Sequence, residues 1–411
     1  MTEKAHNKIE NIYKNIFLLN KNDVSILFNR INFQREYFYG ASYSQLREKA
    51  KKMEKLTPKI KFRMPKCKKV RLEVTLKCNC KCDYCLVYEN CLEQIDSSMS
   101  KTVALKIISL YKKNIKNGSL MIIGSEPLLN WPVVRLFIEK IKDPIKIFTN
   151  GTIMDQEILD SLKANEHVSL MISLDGKRKN NKHRKFTGGK EVYPAVLKNI
   201  KLLQKNKCKI GINCLCTDEN VGELYESVIF FVHDLKIKNI GISFPHYIES
   251  NKEAINDFNI EKYAEEIKKI FDYSLKEKFY VDQLSKRFSP LIKKEFRLYS
   301  CKLLGEQQTF YPDGRKTLCT KIDSIKNKKS SFGVDYFKKL IPVNNKYCSG
   351  CPAMGMCGGG CFWDGFKRFR HGVDERECVL NKSLLEHFIS AIYEKEKKNK
   401  NLKEEFEFLV R

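Results

Sequence analysis

A chain of 411 residues exceeds what a single hydrophobic core ordinarily serves, so a large domain with a smaller companion is the natural expectation. Hydrophobic residues at 42% and aromatics at 11% supply a folded core and exclude wholesale disorder. The excess of 76 Lys and Arg over 49 Asp and Glu, a formal charge of +27, raises nucleic acid as a partner. The lysines are spread along the chain, however, in a composition also rich in Asn and Ile. Compositional bias is the first reading and an acidic peptide partner the second; no nucleic acid is expected. The longest apolar runs, such as Val228–Val232, fall far short of about 18 residues, so no membrane-spanning helix is expected. The N-terminal MTEKAHNKIENIYK is charged and lacks the apolar stretch of a secretion signal. The expectation is a cytoplasmic protein, and there thiols stay reduced. Sixteen cysteines in that setting, many at CxxC-like spacing, point to metal rather than to disulfides.

In chain order, residues 1–66 read as a basic, mostly helical extension, with apolar residues in Ile16–Leu19 and Val24–Phe28. From Val70 short apolar runs alternate with amphipathic segments. Strands are expected at Val70–Leu76, Leu120–Ile123, Ile145–Thr149, Val168–Leu174, Ile210–Leu215 and Ile240–Phe244. Their helices are expected at Lys101–Asn117, Trp131–Ile141, Gln156–Lys163, Tyr193–Gln204, Glu223–Leu235 and Ile260–Tyr273. Six strand–helix pairs in series predict an α/β fold with a parallel sheet wrapped by helices, and in such folds reacting groups gather at the C-terminal ends of the strands. Beyond about Lys278 the periodicity fails and Cys and Gly take over. The expected divisions are 1–66, 67–285, 286–380 and a charged helical tail, 381–411.

Directly after the first strand comes TLKCNCKCDYC, in which Cys78, Cys82 and Cys85 are spaced C-x3-C-x2-C with Tyr84 before the last. Three thiolates can hold three irons of a 4Fe–4S cube and leave the fourth open to an amine and a carboxylate. A zinc site would more ordinarily bring paired CxxC or Cys/His spacings. Cys80, inside the spacer, reads as incidental. After the second strand stands GSEP, Gly124–Pro127, and after the fourth SLDG, Ser173–Gly176, followed by NNKHR ending at Arg184. Further on, Cys301 precedes Gly314 and Cys319 at spacings of twelve and four residues. Cys348, Cys351, Cys357 and Cys361 follow as C-x2-C-x5-C-x3-C, and Cys378 closes the set. Cys67, Cys91 and Cys208 receive no role, and Cys214 and Cys216 alternate on a strand as packing residues do.

The first triplet with its aromatic resembles the radical S-adenosylmethionine (radical SAM) superfamily, and the seven later cysteines resemble the SPASM pattern in every spacing. The whole resembles radical SAM/SPASM peptide-modifying maturases of the sactipeptide and ranthipeptide thioether kind, relatives of the anaerobic sulfatase-maturating enzymes. That resemblance implies a partial (β/α)6 TIM-type barrel over 67–285 and a SPASM domain over 286–380. It implies three 4Fe–4S clusters and S-adenosyl-L-methionine as cofactors. The Cys78/Cys82/Cys85 cluster would generate a 5′-deoxyadenosyl radical. Tyr84, Gly124, Ser125, Glu126, Ser173 and Arg184 would bind S-adenosylmethionine, with Glu126 on its amine and Arg184 on its carboxylate. Ser125 replaces a family Gly, and Asn180 replaces a family His. Cys348, Cys351, Cys357 and Cys378 would hold one auxiliary cluster, and Cys301, Cys319 and Cys361 the other. Gln307 stands where some relatives carry an eighth cysteine, leaving an iron for a substrate thiol, Glu306 or water. A precursor peptide is the implied substrate and a flavodoxin or ferredoxin the implied electron donor. No specific catalytic acid or base is singled out. Thioether crosslinking is the expected reaction. Formylglycine formation is disfavoured by Thr320 where sulfatase maturases place an acid, and epimerisation and oxidative decarboxylation remain alternatives. A peptide-binding winged helix before the barrel is not expected, because residues 1–66 are short and show no clear run of three strands.

Overall fold

The computed structural model describes residues 9–85, 97–246, 258–320, 334–369 and 372–410. Cys91 lies outside them. The chain divides into two compact units, one formed by Met64–Asn259 with Lys302–Val334, the other by Met1–Arg63, Ile260–Cys301 and Asp335–Arg411. Among the described residues no helix is long and apolar enough to cross a membrane.

The first is a parallel-sheet unit. Its strands β5 (Lys69–Glu73), β6 (Ser119–Ile123), β7 (Ile145–Thr149), β8 (Val168–Ser173), β9 (Ile210–Leu215) and β10 (Asn239–Ser243) lie side by side in chain order. Lys69 registers with Ser119, Leu120 with Ile145, Ile147 with Leu170, and Ile212 with Ile240. Leu72, Ile122, Ile147, Ile172, Ile212 and Ile240 are all fully buried, which is why these short runs of branched residues form strands. Helices Lys101–Asn114, Trp131–Lys140, Gln156–Ala164 and Tyr193–Lys205 follow successive strands. Ser100 and Asp155 cap two of them by accepting the N–H of Val103 (3.2 Å) and Ile158 (2.8 Å).

Departures from the sequence reading have local causes. The helix expected to reach Asn117 stops at Asn114, because Asn117 turns left-handed (φ 52°) and Gly118 packs where a Cβ would lie 2.9 Å from the Lys68 carbonyl. The helix expected over Glu223–Leu235 is α-helical only at Leu224–Ile229 and widens to a π turn over Phe230–Asp234. The sheet does not end at residue 285. After the two-residue strand β11 (Tyr280–Val281), strand β12 (Gln307–Phe310) returns to pair in parallel with β5, Gln307 opposite Lys69, and β13 (Lys316–Thr317) pairs antiparallel with β12. Four residues with two glutamines carry no strand signal, so only the tertiary pairing reveals this strand.

The composite unit corrects the largest expectation. Of the extension 1–66 expected to be mostly helical, the described residues 9–66 are not. They form an antiparallel sheet in the order β1 (Glu10–Tyr13), β2 (Ile16–Lys21), β3 (Val24–Asn29), β4 (Arg35–Tyr39), and only then a helix, α1 (Tyr43–Lys55). The turns rest on left-handed Lys14 and Asn22. Both faces of β3 are largely buried, so its apolar run does not alternate and hides its period. Ile12, Ile16, Leu18 and Leu27 pack on Leu46, Ala50 and Met53 of α1. The long C-terminal helix Glu375–Glu396 belongs to the same unit and takes an Arg35–Glu396 ion pair (2.9 Å) and a Tyr39–Tyr393 hydrogen bond (2.7 Å) from β4. So does helix Ile260–Glu277, which the strand–helix count assigned to the barrel. Phe388 sits at the centre of the aromatic core, its ring 4.8 Å from Phe271 and 5.0 Å from Phe288. Phe388→Ala should therefore cost about 3–5 kcal/mol, measured by urea unfolding; an unchanged midpoint contradicts this packing.

Candidate functional site

The chain leaves β5 through Val74–Leu76 and enters the cysteine loop. The loop is laced down on several sides. Lys81 and Asp83 donate their N–H groups to the carbonyls of Lys185 (2.8 Å) and His183 (3.1 Å), and Thr187 N–H donates to Asn79 (3.0 Å). Asn79 Nδ2 donates to Thr152 Oγ1 at 2.9 Å. The turn after β6 closes on it from below: Ser125 N–H donates to Thr75 O and Glu126 N–H to Lys77 O, both at 3.0 Å. Gly124 has φ 148°, and a Cβ there would fall 2.3 Å from the Thr75 carbonyl, so only glycine permits this approach. Cys78, Cys82 and Cys85 line one cavity with Ser125 and Leu129 on its wall.

Two buried carboxylates organise the surroundings. Asp175, 1% exposed, follows β8 and is gripped bidentately by Arg184, Nε to Oδ2 at 2.7 Å and Nη2 to Oδ1 at 2.9 Å. The Tyr84 hydroxyl donates to the same Oδ2, and Leu215 N–H at the end of β9 donates to Oδ1 at 2.9 Å. The guanidinium also lies 5.3 Å from the Tyr84 ring centroid. Burial alone pulls the Arg184 pKa down, but the Asp175 charge holds it well above its ordinary value; burial drives the Tyr84 hydroxyl well up. Glu126 faces inward. Its Oε1 accepts from Leu128 N–H (3.0 Å) and Thr149 Oγ1 (2.8 Å), its Oε2 from Asn150 N–H (2.6 Å). Burial pushes its pKa up to about 7 against those three donors.

The cysteines of the loop are electrostatically unlike. A hydrogen bond from Cys80 outweighs burial and brings Cys78 down to about 6, whereas burial lifts Cys82 to about 11. Cys80 lies against Cys78. It is buried, its N–H lies 3.4 Å from Cys78 Sγ, and Asn150 Nδ2 donates to its sulfur at 3.3 Å.

In the composite unit Cys348, Cys351, Cys357 and Cys378 line a second cavity, with Glu377 and Lys382 beside them. A short 3-10 turn, Lys346–Cys348, carries the first cysteine, and Asn345 Oδ1 caps it through Tyr347 N–H (3.0 Å). Gly358 reverses the chain after Cys357 with φ 70°, where a Cβ would lie 2.7 Å from Ser300 N. Burial lifts Cys348 to about 11 and Cys378 to about 12, and raises Cys357 as well. Four converging thiols this reluctant to ionise become thiolates only when a cation replaces their protons, so the donor set fits a metal cluster. Cys301 and Cys361 are half-buried in this unit, and Cys319 is half-buried in the parallel-sheet unit beyond β13. No disulfide joins any of the described cysteines.

The sequence profile of the Radical SAM superfamily matches residues 72–230, which span β5 to the start of the π turn and contain the whole cysteine loop. Residues 72–230 are a radical SAM domain. Radical SAM cyclopropyl synthase TigE of Paramaledivibacter caminithermalis is 22% identical over 355 residues, covering 78% of this chain and 74% of that protein. The subtilosin biosynthesis protein AlbA of Bacillus subtilis is 25% identical, covering 71% and 66%. Among solved structures, anSMEcpe with bound AdoMet superposes with a TM-score of 0.63 at 17% identity, over 79% of this chain and 97% of that one. SuiB of Streptococcus suis gives 0.56 at 16% identity, over 87% and 97%. Both share the fold. Membership of the radical SAM family implies a 4Fe–4S cluster and S-adenosylmethionine, and the loop thiols suit that cluster.

Of the residues singled out for the radical SAM chemistry, the structure brings Cys78, Cys82, Cys85 and Ser125 to one cavity. Gly124 supports it from behind, and Ser173 ends β8 half-buried. Tyr84 and Arg184 meet at Asp175, leaving Nη1 as the part of the guanidinium fork that Asp175 does not occupy. Glu126 joins the turns after β6 and β7 instead of lining the cavity wall. Asn180 donates to Glu223 Oε2 at 2.8 Å. The sequence reading gave no role to Asp175, or to Asn150 in the Thr-Asn-Gly turn after β7; a polar residue beside glycine at a strand end was the available signal.

Glu126 yields a pH test. The folded protein holds its proton more tightly than the unfolded chain, so the unfolded chain ionises first as pH rises from 4.5 to about 7. This group's contribution to apoprotein stability therefore falls across that window and levels off above it. Glu126→Gln sets an amide N–H against existing donors, costing about 1–3 kcal/mol, but lacks the titration. The stability advantage of the unsubstituted apoprotein should shrink as pH rises through the window; a constant gap in urea midpoints contradicts it.

Proposed function

We propose that the chain is a peptide maturase that installs a crosslink, a thioether in the first reading, in a ribosomally made cysteine-containing peptide. The supporting observation is the pairing in one chain of a three-cysteine loop at the end of β5 with a four-cysteine cavity in the composite unit. Several of the similar proteins handle peptides. AlbA is named for bacteriocin biosynthesis, anSMEcpe has been solved with peptides, and SuiB with its precursor peptide SuiA.

In this reading Cys78, Cys82 and Cys85 hold the radical-generating cluster, and Tyr84, Gly124, Ser125, Glu126, Ser173 and Arg184 shape the S-adenosylmethionine pocket. A cluster and S-adenosylmethionine held there would supply the radical chemistry that removes hydrogen from a peptide. The chain's own part is positional. The lacing of the loop to 183–187 fixes the three thiols, and Gly124 lets the next strand turn approach them. The buried Asp175 and Glu126 hold the strand-end turns rigid, as radical chemistry needs an enclosed, pre-organised site. The C-terminal array holds the auxiliary clusters, a flavodoxin or ferredoxin supplies electrons, and the setting is cytoplasmic. TigE favours a second reading: its name states cyclopropyl formation, a carbon–carbon bond, on a chain this one matches over most of its length. Thr320 and Gln307 still disfavour formylglycine formation.

Anaerobic reconstitution should give about twelve irons per chain, and Ala at Cys78, Cys82 and Cys85 together about eight, with no 5′-deoxyadenosine formed. Cys348→Ala should spare some cofactor cleavage and abolish peptide product. Mass spectrometry of any short cysteine-containing peptide found encoded beside the gene should show loss of a pair of hydrogens per crosslink, abolished when its cysteines become Ser. Persistence of that loss in the Ser peptide overturns the thioether for the carbon–carbon reading, and stoichiometric zinc with little iron overturns both.

A further inference from the structure

Arg30, directly after β3, is a buried cation, 8% exposed, and among the described residues it forms no ion pair. Its side chain spends its hydrogen bonds on neutral oxygens. Nη1 donates to the carbonyls of Ser349 (2.7 Å) and Cys351 (3.0 Å), and Nε to Asn15 Oδ1 (3.0 Å). Asn15 is itself held by Glu54, through Nδ2 to Oε1 at 2.9 Å and through its N–H to Oε2 at 3.2 Å. The guanidinium lies 5.6 Å from the Phe17 ring centroid. The backbone of the same residue is packed equally hard. A Cβ on Gly355, between Cys351 and Cys357, would fall 2.2 Å from Arg30 O and 2.8 Å from the Phe33 ring.

A buried guanidinium without a carboxylate is costly unless some other negative charge faces it. A cluster ligated by four thiolates is a net anion, and it would lie against the loop whose carbonyls Arg30 holds. We propose that Arg30 is a positioning residue for the cluster of Cys348, Cys351, Cys357 and Cys378, fixing the Cys348–Cys351 loop and holding the cluster's reduction potential up by its charge. The N-terminal sheet is thereby part of the cluster's protein shell. The proposal rests on the reading that this set carries a cluster.

The test is a redox titration by electron paramagnetic resonance in the Cys78→Ala/Cys82→Ala/Cys85→Ala background, where the radical-generating cluster contributes no signal. Arg30→Gln and Arg30→Lys are compared, with Cys348→Ala as control. Removing a cation disfavours the more negative, reduced state. Arg30→Gln should therefore titrate at a more negative potential at unchanged iron content, with Arg30→Lys between it and the parent. Loss of only the iron that Cys348→Ala also loses supports the positioning role too. An unshifted potential, or loss of iron beyond that share, overturns it. If Cys348→Ala itself loses no iron, the underlying cluster assignment fails instead.

Discussion

The carboxylate of Asp175 is the interaction on which the site depends. Its two oxygens accept from Tyr84 in the cysteine loop, from Arg184 beyond β8, and from the backbone at the end of β9. Three segments that share no sequence neighbourhood are thereby fixed to one buried point. An ion pair this deep is a weak source of net stability, because desolvation consumes much of its Coulomb energy. Breaking it from one side is another matter, costing about 3–5 kcal/mol because a bare charge is left inside. Asp175 therefore acts less as a stabiliser than as a device that makes any other loop geometry expensive.

The two sets of thiols are electrostatically distinct in ways that follow from their settings. Cys78 lies among donors: Cys80 N–H, Asn150 and the Arg184 charge all favour its thiolate. Cys357 and Cys378 sit in an apolar enclosure beside the Glu377 charge, which opposes theirs. A metal arriving at the loop meets at least one sulfur close to ionised at neutral pH. One arriving at Cys348, Cys351, Cys357 and Cys378 meets thiols that burial keeps protonated.

The parallel sheet was legible because its strands are short runs of branched residues, fully buried on at least one face and spaced by amphipathic helices. The cysteine sets were legible because spacing survives without any knowledge of folding. What stayed hidden was whatever depends on distant pairing. β12 reads as polar and is a strand only because β5 offers it an edge. β2 and β3 read as apolar patches because burial of both faces erased their alternation. The contact of Cys80 with the Cys78 sulfur was hidden too, because no spacing rule records it. Glu126 and Arg184 stood in recognisable motifs, yet the Glu126 partners Thr149 and Asn150 come from another strand end, and Arg184 reaches back to Asp175 in the turn after β8.

The direct test of this account is Asp175→Asn, assayed for reductive cleavage of S-adenosylmethionine after anaerobic reconstitution. An amide there cannot accept on both sides, and Arg184 is left without its counter-charge. The account predicts that 5′-deoxyadenosine formation collapses while about eight irons remain per chain, those of the C-terminal array. Cleavage at the unsubstituted rate with a full iron complement would contradict it.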